Sequence, residues 1–337
     1  MSRITAPPPS GLYYRPLSGR SLRDLSERKR HHDRNRFQSP MAPFENNRFL
    51  KALAWHFFYP NEYRNALKAQ PVSPVCIDWE PVTAHTGVSV TFIRHATVLI
   101  RDKGAALLID PVFGRMFPFV KDFSPLAFDL STLPVPDTIL ITHGHFDHLD
   151  MASLRRLNPE TPVITPLGYD REFSALKMRR RTQLDWYESV YDGKREITLV
   201  PAHHWTLRNP LKGPNRSLWG GYMIRTAGGP VIYVAGDTAY FDGFEQLAAD
   251  FSIDLAIFNM SAYAPHWFMG SSHMNPEETV RAFTELGAKK MMIVHWGAFR
   301  LGDEPVHLPP LDLKKELSRQ NLLHQGVDLK PGQTLYF

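Results

Sequence analysis

Thr142-His143-Gly144-His145-Phe146-Asp147-His148 follows directly on the apolar run 138–141, and no other junction says more about this chain. Three imidazoles and a carboxylate within six positions are the nitrogen and oxygen ligands that zinc and its neighbours prefer. Four such side chains are expensive to bury without a partner, so a chance polar turn after a buried strand is the poorer explanation. In a loop leaving a strand, His143 and His145 can face one metal while Asp147 and His148 turn to a second. Two metals need more ligands than one loop supplies, and other strand ends provide them. His203-His204 follow an expected strand at 197–201, Asp237 follows 231–235, and His295 ends 291–295. Adjacent strand residues face opposite ways, so one of His203 and His204 is expected to point into the site.

Outward from this junction the chain alternates strands and helices. Strands are expected at 90–93 and 98–101, with Asp102-Lys103-Gly104 turning the chain into a third at 105–109. The segment 111–136 carries Phe113, Phe117, Phe119, Phe123 and Phe128, and loops of that length in compact domains are usually functional. Further strands are expected at 138–142, 162–165, 222–225 and 255–259, and helices near 170–178, 243–250, 276–287 and 311–319. The helix at 276 is the best marked, with Asn275 as N-cap, Pro276 at its first position and Glu278 where a capping box needs it. This alternation predicts an α/β fold, an αββα sandwich with helices outside two sheets.

Of 337 residues, 43% are hydrophobic, enough for a full core and too many for a disordered chain. Residues 1–45, rich in Pro, Ser and Arg, read as an extended basic arm, and 46–337 as one folded domain that carries the histidine motif. The net charge of +5 owes much to Arg23, Arg28, Lys29, Arg30, Arg34 and Arg36, which suit either plain solvation or an anionic surface. A helix over 47–58 would set Arg48 and Lys51 beside Phe49, Trp55, Phe57 and Phe58. That pattern fits a bilayer interface, although ordinary packing produces it too. Basic and aromatic residues do not interleave as a nucleic-acid groove requires, so no nucleic acid is expected. Cys76 is the single cysteine, which excludes an intrachain disulfide and fits a reducing compartment. The first residues lack a signal peptide, and no run approaches the roughly 20 apolar residues of a membrane span. The expected location is cytoplasmic or peripheral on the inner face of a membrane, and a homodimer stays open.

The ordered set H-x-H-x-D-H, His, Asp, His resembles the metallo-β-lactamase superfamily. Within it the chain resembles the N-acyl-phosphatidylethanolamine phospholipase D family. The matching stretches include His95-Ala-Thr-Val98, Leu108-Ile-Asp-Pro111, the histidine motif through Asp150, His204-Trp205, Leu218-Trp-Gly220, Ala235-Gly-Asp-Thr238, Trp267-Phe-Met269 and His295-Trp-Gly297, with Arg36-Phe37-Gln38-Ser39-Pro40 resembling its N-terminal element. The resemblance implies His143, His145 and His204 on one metal, Asp147, His148 and His295 on the other, and Asp237 bridging them. It selects His204 over His203 because Trp205 follows, and it implies catalytic roles for Asp147 and His273. His273 would protonate a leaving alcohol or hold a phosphate. Arg94 stands where relatives carry Gly, Ser272 where Gln is familiar, His266 for Arg, and Asn259-Met260-Ser261 for Pro-Ile-Gly, all expected near the mouth. Two divalent ions are implied, with zinc as the default and iron or manganese fitting the same ligands. The implied reaction is hydrolysis of a phospholipid phosphodiester to phosphatidic acid and an N-acylethanolamine. A lactonase or nuclease of the same superfamily, and a non-catalytic metal-binding scaffold, are the alternatives.

Overall fold

The computed structural model describes residues 20–41, 61–68 and 70–337. The expected helix at 47–58 and the boundary near 45 lie outside the described residues. From the N-terminus, a helix at Leu22–Glu27 leads to a short hairpin, β1 (His32–Asp33) and β2 (Arg36–Phe37). Two mixed sheets follow. In the first, β3 (Val88–Arg94), β4 (Thr97–Asp102) and β5 (Ala105–Ile109) run antiparallel. To them β6 (Thr138–Leu140), β7 (Val163–Pro166) and β8 (Arg181–Leu184) add in parallel. In the second sheet, β9 (Ser189–Tyr191), β10 (Glu196–Val200), β11 (Gly221–Arg225) and β12 (Val231–Val234) are antiparallel. The strands β13 (Leu255–Asn259) and β14 (Lys290–Val294) continue it in parallel, while β15 (Thr334–Tyr336) returns to pair with β3.

Side-chain alternation explains why the inner strands read as unbroken apolar runs. Val98, Ile100, Leu107 and Ile109 pack between the sheets against Leu199, Tyr222, Ile224 and Ile232. Leu99, Leu108, Ile139 and Ile141 face the other way, under Trp79, Val82, Leu154 and Phe173 from short outer helices. Both faces are covered, so neither alternate position is polar. The second sheet is backed by helices at Phe244–Asp250, Pro276–Leu286 and Leu308–Arg319, whose Leu247, Phe283 and Leu317 join the central core. The αββα architecture is therefore present. The capping box at Asn275 and Glu278 forms as expected. The last helix starts at Leu308, earlier than 311, because prolines are tolerated in a first turn where the missing N–H would be unpaired anyway.

Within the arm expected over 1–45, the described residues 20–41 hold a helix at Leu22–Glu27 and the β1–β2 hairpin, docked through a few buried side chains while most of the others stay exposed. Leu22 and Leu25 are almost fully buried in the central core, each worth about 1.5–3 kcal/mol. A clamp reinforces them: Lys29 Nζ donates to Asp185 Oδ2 at 2.6 Å, His31 Nε2 pairs with Oδ1 at 2.5 Å, and His32 Nε2 with Oδ2 at 2.9 Å. Burial alone would raise the Asp185 pKa, but hydrogen bonds from His31 and Lys29 hold it well below the usual carboxylate range. Burial pushes the His31 imidazole down. Both shifts act in one direction. Their stabilisation is present above the unfolded-state values, about 6.5 for His and about 3.9 for Asp, and is lost as pH falls through the folded ones. Amide hydrogen exchange over 22–27, corrected for its intrinsic rate, should therefore speed up on acidification from neutral pH. Protection independent of pH would contradict this account of the clamp.

Candidate metal centre

At one edge of the sandwich the strand ends of both sheets meet, and the candidate ligands project from them. The histidine motif leaves β6, His204 follows β10, Asp237 follows β12 and His295 follows β14. The motif is pinned to the opposite sheet, since Tyr222 Oη donates to Ile141 O at 2.9 Å and Gly220 N to Thr142 O at 3.2 Å. Gly236 positions Asp237 from a left-handed φ of +61°, where a Cβ would meet Gly220 O and Thr142 Cβ at 3.0 Å. His95, Asp110, Ala262 and His295 also take positive φ, from 44° to 76°. Non-glycine residues rarely adopt that region, and strain of this kind gathers at functional sites.

Two groups result. His143, His145, His204 and Asp237 form one; His95, Asp147, His148 and His295 form the other, with ligand atoms in each within 4.8 Å of one another. His145 Nδ1 lies 2.9 Å from His143 Nε2 and 3.2 Å from His204 Nε2, and His148 Nε2 lies 3.1 Å from His295 Nε2. Asp237 stands between the groups. Its Oδ2 is 3.7 Å from both His143 Nε2 and His204 Nε2, and its Oδ1 is 3.3 Å from His148 Nε2 and 3.4 Å from His295 Nε2. Ligands at about 2.0–2.1 Å from a shared tetrahedral ion stand roughly 3.3–3.4 Å apart. Converging imidazole nitrogens cannot all satisfy one another by hydrogen bonds, so the donor set fits a pair of divalent metals.

The far sides of these rings are held by partners that fix their tautomers. His148 Nδ1 meets Asp110 Oδ2 at 2.7 Å, His204 Nδ1 meets Ser272 O at 3.0 Å, and His295 Nδ1 meets Ser261 Oγ at 2.9 Å. Asn259 Nδ2 donates to Asp237 Oδ1 at 2.8 Å. Outer partners of this kind orient metal ligands and tune their basicity. Ser272, Asn259 and Ser261 therefore lie behind the ligands, rather than at the mouth where their departure from the family pattern suggested. Burial holds His143 and His204 well below the ordinary imidazole value and brings His145 to about 4. Burial works against the Asp147 and Asp237 carboxylates, yet neighbouring His148 and His295 keep both well below their usual range. His148 is the exception: burial alone would lower it, but Asp237, Asp147 and Asp110 together raise it well above the ordinary value. The neutral imidazoles of His143, His145 and His204 beside ionised carboxylates are the protonation states that metal binding needs, and His148 would give up its proton to a bound ion.

His203 and His204 diverge as strand alternation requires. His203 Nδ1 turns to Ser39 Oγ of the arm at 2.9 Å. His273 belongs to neither group; its Nδ1 is 4.0 Å from Asp237 Oδ2, and its side chain is 12% exposed on the rim. Two residues escaped a role in the sequence reading. His95 Nε2 reaches Asp147 Oδ2 at 3.1 Å, and Asp110 accepts from Thr142 N and Thr142 Oγ1 as well as from His148. The available signal for both was a polar residue directly after a buried strand, in matched stretches at 95–98 and 108–111. Beyond the rim, Phe117 stacks on Phe119 with centroids 5.4 Å apart and lies 5.3 Å from Phe146, inside the histidine motif. Arg208 sits over Phe146 at 4.4 Å.

This fold and ligand arrangement define a class. Residues 106–296 match the β-lactamase superfamily domain, and the structure is the metallo-β-lactamase fold of a metal-dependent hydrolase. The fold is similar to an isothiocyanate hydrolase from Delia radicum gut bacteria, with TM-score 0.61, 18% identity, and coverage of 74% of this chain and 99% of that one. It is also similar to CmlA, a diiron β-hydroxylase from Streptomyces venezuelae, with TM-score 0.57, 20% identity, and coverage of 75% and 55%. In sequence, the chain is 32% identical to N-acyl-phosphatidylethanolamine-hydrolyzing phospholipase D 1 of Caenorhabditis elegans, over 69% of this chain and 70% of that protein. The chain belongs to that phospholipase D family. A mitochondrial relative from Saccharomyces cerevisiae is also 32% identical, over 60% of this chain and 46% of its own length.

Proposed function

We propose that the chain is a binuclear phosphodiesterase that cleaves N-acyl-phosphatidylethanolamine-like lipids to phosphatidic acid and an N-acylethanolamine. The observation that carries the reading is Asp237, with one carboxylate oxygen toward each histidine group. His143, His145 and His204 would hold one ion, Asp147, His148 and His295 the other, and Asp237 both. When bound, two divalent ions of this kind, zinc by default with iron or manganese also suited, supply Lewis acidity and a low-pKa water for in-line attack on phosphorus. His95 would orient Asp147, and Asp110 would orient His148. His273 on the rim would hold a phosphate oxygen or pass a proton to the leaving alcohol.

Support for a lipid comes from the named relatives and from the aromatic step Phe119, Phe117 and Phe146, which leads from solvent to the ligands. Phe119 is 84% exposed, whereas Phe113 and Phe123 are buried, so only part of the Phe-rich segment can meet an acyl chain or bilayer. No helix among the described residues is long and apolar enough to cross a membrane. The enzyme would therefore meet its phospholipid as a peripheral protein on a membrane's inner face, needing no nucleic acid; a homodimer is compatible with this. Elemental analysis should find about two metal ions per chain. Turnover should appear on N-acyl-phosphatidylethanolamine and on bis-p-nitrophenyl phosphate ahead of a lactone panel. Lactone hydrolysis with neither diester cleaved would overturn the reading.

A further inference from the structure

Next to the aromatic segment is a surface cavity of about 320 Å³ whose wall carries Lys68, Lys121 and Arg300, with Gln70, Phe119 and Phe123 beside them. No carboxylate lines it among the described residues. The nearest in sequence, Asp122, is turned inward, where its Oδ1 accepts from Arg94 Nη2 at 2.7 Å. Lys121 Nζ lies over the Phe123 ring at 4.5 Å. Three cations gathered around one cavity repel one another, and no ion pair among the described residues offsets that repulsion. Gln70 is committed to the backbone, accepting from Val306 N and donating to Leu67 O, so it shapes the wall instead of neutralising it. The buried ring of Phe123 and the exposed ring of Phe119 add an apolar border. An occupant with a negative head and an apolar continuation satisfies both halves.

We infer that this cavity binds the phosphate of a second, non-reacting anionic phospholipid and so seats the enzyme on the bilayer. The inference rests on the lipid-substrate reading for its setting, but it concerns a place apart from the metal centre. The layer between the two is continuous. Phe123 N donates to Ala298 O at 2.9 Å, and the next residue, Phe299, lies under both the His95 ring and the Arg94 guanidinium, each at 5.0 Å. A lipid phosphate held by Arg300 and Lys121 would place the Phe117–Phe119 pair at the interface, facing the same membrane from which the substrate comes.

The test compares the full metal-loaded chain with Lys68→Gln, Lys121→Gln, Arg300→Gln and the triple variant. Co-sedimentation is measured with phosphatidylcholine vesicles and with vesicles that also contain phosphatidylglycerol. Each substitution should weaken binding to the anionic vesicles by about fivefold, and the triple variant by roughly a hundredfold. Binding to neutral vesicles, circular dichroism and soluble-diester turnover should be unchanged. Inorganic phosphate is titrated against chloride at matched ionic strength. Displacement by phosphate beyond that by chloride is expected, because the free anion competes with the lipid phosphate for the same seat. Displacement no greater than that by chloride, or a triple variant that binds anionic vesicles like the parent, overturns the proposal. Vesicle binding is read independently of turnover, so failure of the substrate reading would show as absent lipid hydrolysis with these charge effects intact.

Discussion

Asp237→Ala is expected to disturb both histidine groups at once and to lower diester turnover by about a thousandfold or more. The reason is geometric. Oδ2 of this carboxylate faces His143 and His204, while Oδ1 faces His148 and His295, so no single-site ligand can compensate. Losing a partner behind a ligand typically costs 10–100-fold in metal affinity or activity, and removal of a shared ligand should exceed that. Elemental analysis after gel filtration should show metal content well below that of the parent. Circular dichroism should remain native, since Asp237 stands at a strand end and the core beneath it is apolar. A variant with full metal content and activity would remove Asp237 from the centre, and with it the case for two coupled ions.

The central strands were legible because each carries apolar residues on both faces. β4 and β5 announce themselves since Leu99 and Leu108 are needed outside the sheet as much as Val98 and Leu107 inside it. The strands of the two large sheets that escaped, β8, β9 and β15, all lie at sheet edges, and the β1–β2 hairpin that also escaped is nothing but edges. Edge strands are short and polar to discourage further pairing, which removes the pattern that would reveal them. The same logic applies at the site. Residues 143–148 were conspicuous because four ligand types crowd one loop, whereas His95 is a lone histidine in a tight turn. Only the fold brings it to Asp147, 52 positions away. Residues 259–261 and Ser272 could be recognised as departures from the family pattern, but sequence position alone could not show that they stand behind Asp237, His295 and His204. The arm misled for a physical reason: Leu22 and Leu25 are too few to dominate a stretch of prolines and arginines, yet both find space in the core.

The aromatic segment shows that composition alone is a poor guide to purpose. In composition the five phenylalanines between 111 and 136 are equivalent, suited alike to an acyl chain or to ordinary packing. In the fold, Phe113 and Phe123 are internal, and Phe128 packs against Trp79 at 5.5 Å. Phe117 and Phe119 remain outside as a stacked pair. Burying the first set anchors the segment, and the anchored segment then presents the second set beside the ligands. Function at this edge thus depends on ordinary packing a few residues away.

His204→Ala should abolish diester hydrolysis and empty one of the two sites, while His203→Ala should leave metal content and most turnover in place. The two are chain neighbours and chemically identical, so any contrast between them reports orientation alone. His204 Nε2 lies among the ligand nitrogens, 3.2 Å from His145 Nδ1, with its Nδ1 on Ser272 O. His203 turns the opposite way, and its backbone N–H donates to Thr238 Oγ1 at 3.0 Å while its ring meets Ser39. Burial brings the His203 imidazole down to about 4, so it is neutral and serves as a packed hydrogen-bonding group rather than a charge. Truncating it should cost about 0.5–1.5 kcal/mol by removing a part-buried hydrogen bond and should loosen the arm around Ser39. That loss would appear as a lower melting temperature with near-normal kcat. Elemental analysis and thermal denaturation on both variants separate the two roles. If His203→Ala lost metal and His204→Ala kept it, the alternation of β10 would be shifted by one residue and the ligand set would have to be redrawn from that strand outward.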